Sequence, residues 1–318
     1  MSTKGRKPAT GATPEDWPVR APAVAGSFYP ASGIVLASLV RELLADAASL
    51  ATPASAAGHP AMVPTGLLVP HAGLEYSGVV AASAWATLSA PPPQAGGVDA
   101  PMTVVILGTN HRAGWLDGIG AWDAGAWRTP IGDVQVGNRV ARAIVGLGPP
   151  FGVDRDAHDD EHSIEVQLPL LQTVRPVSAI VPLAVSAGTG PEAIDAGRRL
   201  GELLADIRDE GTAVTLVLSS DMAHYPPALA SEEVTEALLP SILAVDPKGL
   251  AAREAAVREA RIPGLVCGMC GIEPTVVGLA ALRAMGVSSG VRLAASTSAD
   301  RGGPSHRTVG YLAVRFDS

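Results

Sequence analysis

Thr103-Val-Val-Ile-Leu107 runs directly into Gly108-Thr-Asn-His111, and the same arrangement recurs twice. Gly66-Leu-Leu-Val-Pro70 runs into His71-Ala-Gly73, and Val214-Thr-Leu-Val-Leu218 into Ser219-Ser-Asp221-Met-Ala-His224. Near-continuous apolar runs of this length fit strands covered on both faces, as in the parallel sheets of α/β proteins. In open α/β sheets ligands bind beyond the carboxyl ends of the strands, so polar residues that close such runs can converge from distant positions. The three segments therefore predict one shared pocket holding His71, His111, Asp221 and His224.

Working outward, further strands are expected at Ala179 to Ala184, Val291 to Ala295 and Val309 to Val314, with helices at Ser77 to Leu88, Asn138 to Leu147, Pro191 to Arg208 and Thr275 to Met285. Ile34, Leu36, Leu39, Val40, Leu43 and Leu44 form one apolar helix face. This alternation predicts a layered α/β/α single domain around a central, mostly parallel or mixed sheet. Residues 1–22, without apolar periodicity, read as a flexible N-terminal arm, leaving 23–318 as the folded unit. Ala51 to Pro60 and Pro91 to Pro101, rich in Ala, Pro and Gly, read as surface loops.

The 318 residues are 47% hydrophobic and 17% charged, enough to bury a sizeable core. A net charge of −8 without a basic block beyond Lys4 to Lys7 disfavours sequence-independent nucleic-acid binding. No apolar run reaches membrane-spanning length and the N-terminus lacks a signal-peptide core, so the chain reads as cytoplasmic. Two cysteines, Cys267 and Cys270, are no disulfide framework for this length.

Cys270 precedes the apolar helix at Thr275 to Met285, where the positive end of a helix dipole would lower its pKa and favour the metal-binding thiolate. Cys267 is read as a small buried residue in a tight turn. Two imidazoles and one anionic ligand leave open coordination positions, which suits a catalytic metal; a thiolate points to Fe(II), Cu(I) or Zn without choosing among them. Asp221 and His224 would then orient ligands or act as acid and base. The run Asp154, Asp156, Asp159, Asp160 and Glu161 is read as capping a short helix, and it lacks an EF-hand pattern. His162 and Glu165, three apart, would share a helical face and could enter the same pocket. Trp115, Trp122 and Trp127 fit either a ligand wall or core packing. His59, His158 and His306 are expected to face solvent.

Together these strings resemble the Memo family, known in bacteria and archaea as AmmeMemoRadiSam system protein B. The resemblance is carried in order by Ala23-Val-Ala-Gly-Ser-Phe-Tyr-Pro30, Val69-Pro-His-Ala-Gly73 with Tyr76, Ile106-Leu-Gly-Thr-Asn-His111, and Trp127-Arg-Thr-Pro130 with Asp133. It continues through Asp160-Glu-His-Ser-Ile-Glu165 with Leu168-Pro169, Ser219-Ser-Asp-Met-Ala-His224, and Cys270-Gly271 with Pro274. The resemblance implies a fold similar to class III extradiol dioxygenases, which are non-haem iron enzymes, and a metal site of His71, His111 and Cys270, with Asp221 and His224 as the nearby catalytic pair. It implies Fe(II) first, with Cu or Zn as alternatives, and association with an AMMECR-type protein and a radical SAM enzyme. One departure is that Ile272 and Glu273 stand where animal Memo proteins carry basic residues, so Glu273 is either a substitute ligand or a solvent-facing carboxylate.

Three functions compete on these grounds. The first is a metal-dependent, dioxygenase-like oxidoreductase acting on a small-molecule or peptide substrate. The second is a non-catalytic metal-handling or partner-binding protein on the same scaffold. A zinc hydrolase, with Asp221 or Glu273 as base, ranks last.

Overall fold

The computed structural model describes residues 17–50, 63–89 and 102–318. It begins with β1 (Val19–Arg20), α1 (Gly33–Leu50), β2 (Gly66–Val69), α2 (Leu74–Trp85) and β3 (Met102–Thr109). Short strands follow, β4 (Gly118–Ala121), β5 (Ala126–Thr129) and β6 (Gly132–Gln135), then α3 (Asn138–Val145), β7 (Phe151–Val153), α4 (Leu168–Val174) and β8 (Ala179–Ser186). The last third comprises α5 (Pro191–Asp209), β9 (Ala213–Ser219), α6 (Ala228–Leu243), α7 (Pro247–Glu259), α8 (Ile272–Ala284), β10 (Gly290–Thr297) and β11 (Gly310–Phe316).

The main sheet has the strand order β10-β11-β2-β9-β3-β8-β4-β7. Its centre, β2-β9-β3-β8, is parallel, while β10, β11 and β4 pair antiparallel with their inner neighbours. The sheet is mixed, and the three strands that decide the fold lie side by side. Successive side chains of a strand point to opposite faces, and here both phases are apolar. Leu68, Val105, Leu107, Leu216 and Leu218 join the core under α3, α5, α6, α7 and α8. Leu67, Val69, Val104, Ile106 and Val217 join the core under α1, α2 and α4. Burial on both faces is what removes alternation from the sequence.

The helix layer above β9 is drawn in by missing side chains. A Cβ on Gly278 of α8 would run into the Leu218 side chain, and one on Gly197 or Gly201 of α5 would strike the carbonyl oxygen of Val277 or Ala281 of α8. Such contact lets α8 lie close to the sheet and brings its N-terminal approach, residues 267–271, over the ends of β2 and β9.

Several expectations need correction. The arm does not extend to residue 22, because Val19 and Arg20 pair in parallel with Ala126 and Trp127 of β5 in a separate sheet, β1-β5-β6, and Arg20 is buried. Ile34 is 85% exposed and leaves the apolar face of α1 to Leu36, Val40 and Leu43. Residues 1–16 and the loops at 51–60, with His59, and 91–101 lie outside the described residues. Among the described residues no helix is long and apolar enough to cross a membrane.

Candidate metal centre

β2 ends at Val69, paired with Ser219 of β9, and the Ser220 amide donates to the Val69 carbonyl at 2.9 Å. That register sets Asp221 beside the turn after β2, where its Oδ1 accepts from the amides of His71 (2.7 Å) and Ala72 (3.2 Å). Asp221 therefore holds the His71 backbone in place. After β3, Asn110 Oδ1 accepts from the amides of Arg112 and Ala113, closing a local turn that carries His111 outward. The turns after β2 and β3 are thus each fixed by a short polar side chain.

The third ring is His162. Ligand atoms of His71, His111 and His162 lie within 4.8 Å of one another, a group able to hold a metal ion. His111 and His162 stack with centroids 4.7 Å apart, and His71 meets both edge-on at 5.4 and 5.5 Å. Cys270 Sγ lies 3.2 Å from His71 Nε2. His71 is buried, whereas the His111 side chain is 28% exposed, so the cluster opens to solvent on the His111 side.

Glu161 organises the outer two rings. Its Oε1 takes His111 Nδ1 at 3.0 Å and lies 3.2 Å from His162 Nδ1, and its oxygens also accept from the amides of His111, His162 and Ser163. Burial alone would raise this carboxyl, but the His111 hydrogen bond, the His111 and His162 charges and the Ser163 amide hold it well below the usual range. With a carboxylate hydrogen-bonded at Nδ1, the His111 ring keeps Nε2 free as a lone pair. Burial, with the neighbouring rings, holds His71 well below its ordinary pKa, and burial lowers His162 to about 4 against the pull of Glu161. Both are neutral imidazoles at neutral pH, the form that ligates.

Cys270 departs from its expected chemistry. It stands before Gly271, the N-cap of α8, with its amide bonded to the Asp221 carbonyl. Removal of the sulfur from water, with the Asp221 and Cys267 charges, pushes the thiol well above its ordinary value. A bound cation would supply the charge that deprotonates it. Cys267 is half-buried with its thiol pushed up to about 11 by burial, and its carbonyl receives the His224 amide.

His224 bonds Met222 O through Nδ1 at 2.9 Å, leaving its own Nε2 free, and its charge is felt by both His71 and Asp221. Burial raises the Asp221 carboxyl against His224 and the two amide donors. Glu273 accepts from the Gly188 amide at 3.0 Å and takes no part in the histidine group.

The pairing of His162 with Glu165 does not hold. His162 lies in a turn, and Glu165 begins a short 3-10 segment and points away. It binds Arg20 at 2.6 Å, the Tyr29 hydroxyl, and the amides of Ala23 and Val24. His158 is also corrected: it is fully buried, packs against Trp122 and Trp127, and donates through Nε2 to Gly120 O. Those two tryptophans are core, Trp115 is 65% exposed, and His306 is exposed as expected. Of the acidic run, Asp154 accepts from the Ala157 amide just ahead of the short 3-10 segment Asp156–His158, whose N-cap is Arg155, and Glu161 serves the rings. Nothing in Asp159-Asp-Glu161 marks the last as the buried carboxylate; its place directly before His162 was the available signal.

The fold and site define an α/β protein with a histidine-rich cluster at the carboxyl ends of adjacent parallel strands. The chain belongs to the Memo-like protein family, whose profile matches residues 20–315. A MEMO1 family protein of Methanopyrus kandleri is 34% identical over 299 residues, covering 93% of this chain and 98% of that protein. Another from Sulfolobus acidocaldarius is 34% identical over 302 residues, covering 94% and 99%. Among solved structures, an uncharacterized protein from Escherichia coli K12 overlaps with a TM-score of 0.47 at 18% identity, over 80% of this chain and 99% of that chain.

Proposed function

We propose that the chain is a metal-dependent redox enzyme of dioxygenase-like character, binding its ion through His71 and His111, with Cys270 and His162 as the further donors. The carrying observation is the convergence of donor atoms: those of His71, His111 and His162 lie within 4.8 Å of one another, beside a sulfur 3.2 Å from His71 Nε2. This donor set is mixed nitrogen and sulfur, which suits Fe(II), with Cu or Zn as alternatives. When bound, the ion would supply Lewis acidity and, if redox-active, electron transfer to a small-molecule or peptide substrate. Glu161 holds His111 in the ligating tautomer and sits against His162, and Asp221 fixes the backbone of His71. His224, with Nε2 free, is the group that takes or gives a proton.

A second reading has its own support. If all three imidazoles and the thiolate ligate together, a tetrahedral ion is saturated with no open position, the pattern of a holding site rather than a catalytic one. Metal content of protein purified without added metal separates these readings from a metal-free role. Wild type should carry close to one equivalent, and His71→Ala, His111→Ala and Cys270→Ala markedly less. Equal content in all four removes the site. Oxygen uptake by the Fe(II)-loaded protein with catechols or reductants supports the enzyme; metal without uptake supports the holding site.

A further inference from the structure

Glu161 accounts for the tautomer of His111, but it does not touch His71. The Nδ1 of His71 faces Ser219 Oγ at 3.0 Å. A hydroxyl can donate or accept, so this contact alone leaves the ring ambiguous. The surrounding bonds remove the ambiguity. Ser219 Oγ lies 2.6 Å from the carbonyl oxygen of Ser163, which can only accept, so the single hydroxyl proton is committed there.

The remaining lone pairs of Ser219 are then filled from donors. Gln167 Nε2 lies 3.0 Å from Ser219 Oγ and 2.9 Å from Pro70 O. Its Oε1 accepts from the indole Nε1 of Trp85 at 2.9 Å. An indole N–H can only donate and a proline carbonyl can only accept, so both ends of the amide are assigned and cannot be exchanged. Trp85, Gln167, Ser163 and Ser219 are all fully buried, which makes any unpaired alternative costly.

We infer that Ser219, held by Gln167 and Trp85, is a positioning residue that fixes His71 as the Nδ1–H tautomer and turns its Nε2 lone pair toward the site. The opposite tautomer would aim an N–H at Cys270 Sγ and close the position to an ion. In the metal-free protein the Cys270 thiol can then donate to His71 Nε2 at 3.2 Å or to the Asp221 carbonyl oxygen at 3.7 Å. This assignment rests on the metal reading for its purpose but not for its test.

Long-range 1H–15N spectra of the histidine rings in metal-free, full-length protein report the tautomer directly. Wild type should show His71 as Nδ1–H. Ser219→Ala should give a mixture or the Nε2–H form and weaken Zn(II) binding, measured by chelator competition, about 10- to 100-fold. Ser219→Thr, which keeps the hydroxyl, should restore both. His71 as Nε2–H in wild type overturns the inference without any variant, and so does an unchanged His71 spectrum in folded Ser219→Ala. If wild type shows Nδ1–H but binds no Zn(II), the tautomer assignment stands and the metal reading is what fails.

Discussion

At the scale of single residues, the site is defined by where lone pairs and protons are committed. Three carboxyls that look equivalent in the sequence have three uses: Glu161 orients rings, Asp221 holds a backbone turn, and Glu165 neutralises Arg20. His158 shows the cost of a neutral ring in the core. Burial, opposed by its bond to Gly120, lowers its pKa to about 4, and its Nδ1 has no hydrogen-bond partner among the described residues. The unfolded chain takes up this proton near pH 6.5 and the folded chain only near 4. Stability is therefore full above about pH 7 and declines as pH falls through that window, by up to roughly 3 kcal/mol for a shift of this size. His71 and His162 act in the same direction. Urea midpoints of His158→Gln measured from pH 7 to 4 should fall less steeply than those of wild type. Parallel slopes would show that His158 does not contribute.

At the scale of elements, the small residues between α5 and α8 set how near the helix layer stands to the sheet. Gly201→Ala places a methyl against the Ala281 carbonyl, a backbone atom that cannot swing aside. The variant should lose at least about 2 kcal/mol in denaturant unfolding. It should also lower metal occupancy, since residues 267–271 move with α8. Wild-type stability in the variant would mean that the two helices part without cost. The same scale decides what was readable in the sequence. β2, β3, β8 and β9 are runs rich in Val, Ile and Leu buried on both faces, and the apolar runs in the sequence meet their bounds to within two residues. β4, β5, β6 and β7 have three or four residues each, with Arg128, Gly132, Asp133 and Gln135 exposed, so no periodicity develops. His71 and His111 were legible because a strand delivers them. His162 was visible only as a suggestion, since it reaches the cluster from a turn whose path is set by Glu161. The high pKa of the Cys270 thiol was not legible, because it depends on burial beneath residues distant in sequence.

At the scale of the whole molecule, the small β1-β5-β6 sheet braces the segment that carries Glu161 and His162. Arg20 crosses from β1 to the carbonyls of His158 (2.7 Å) and Glu161 (2.5 Å) and to Glu165, with its guanidinium 4.1 Å over the Trp127 ring. Removing one partner of a buried ion pair leaves the other uncompensated, at about 3–5 kcal/mol. Arg20→Met should unfold at lower temperature by a corresponding margin and bind Zn(II) more weakly. A native melting profile in Arg20→Met would remove this brace from the account. His71 and Cys270 stand 199 positions apart, and the donors between them come from separate crossovers of the sheet. A nascent chain emerging from the ribosome therefore cannot set the Cys270 sulfur against His71 until residue 270 has been made and threaded into place, so a site that used both side chains would be completed late in biosynthesis.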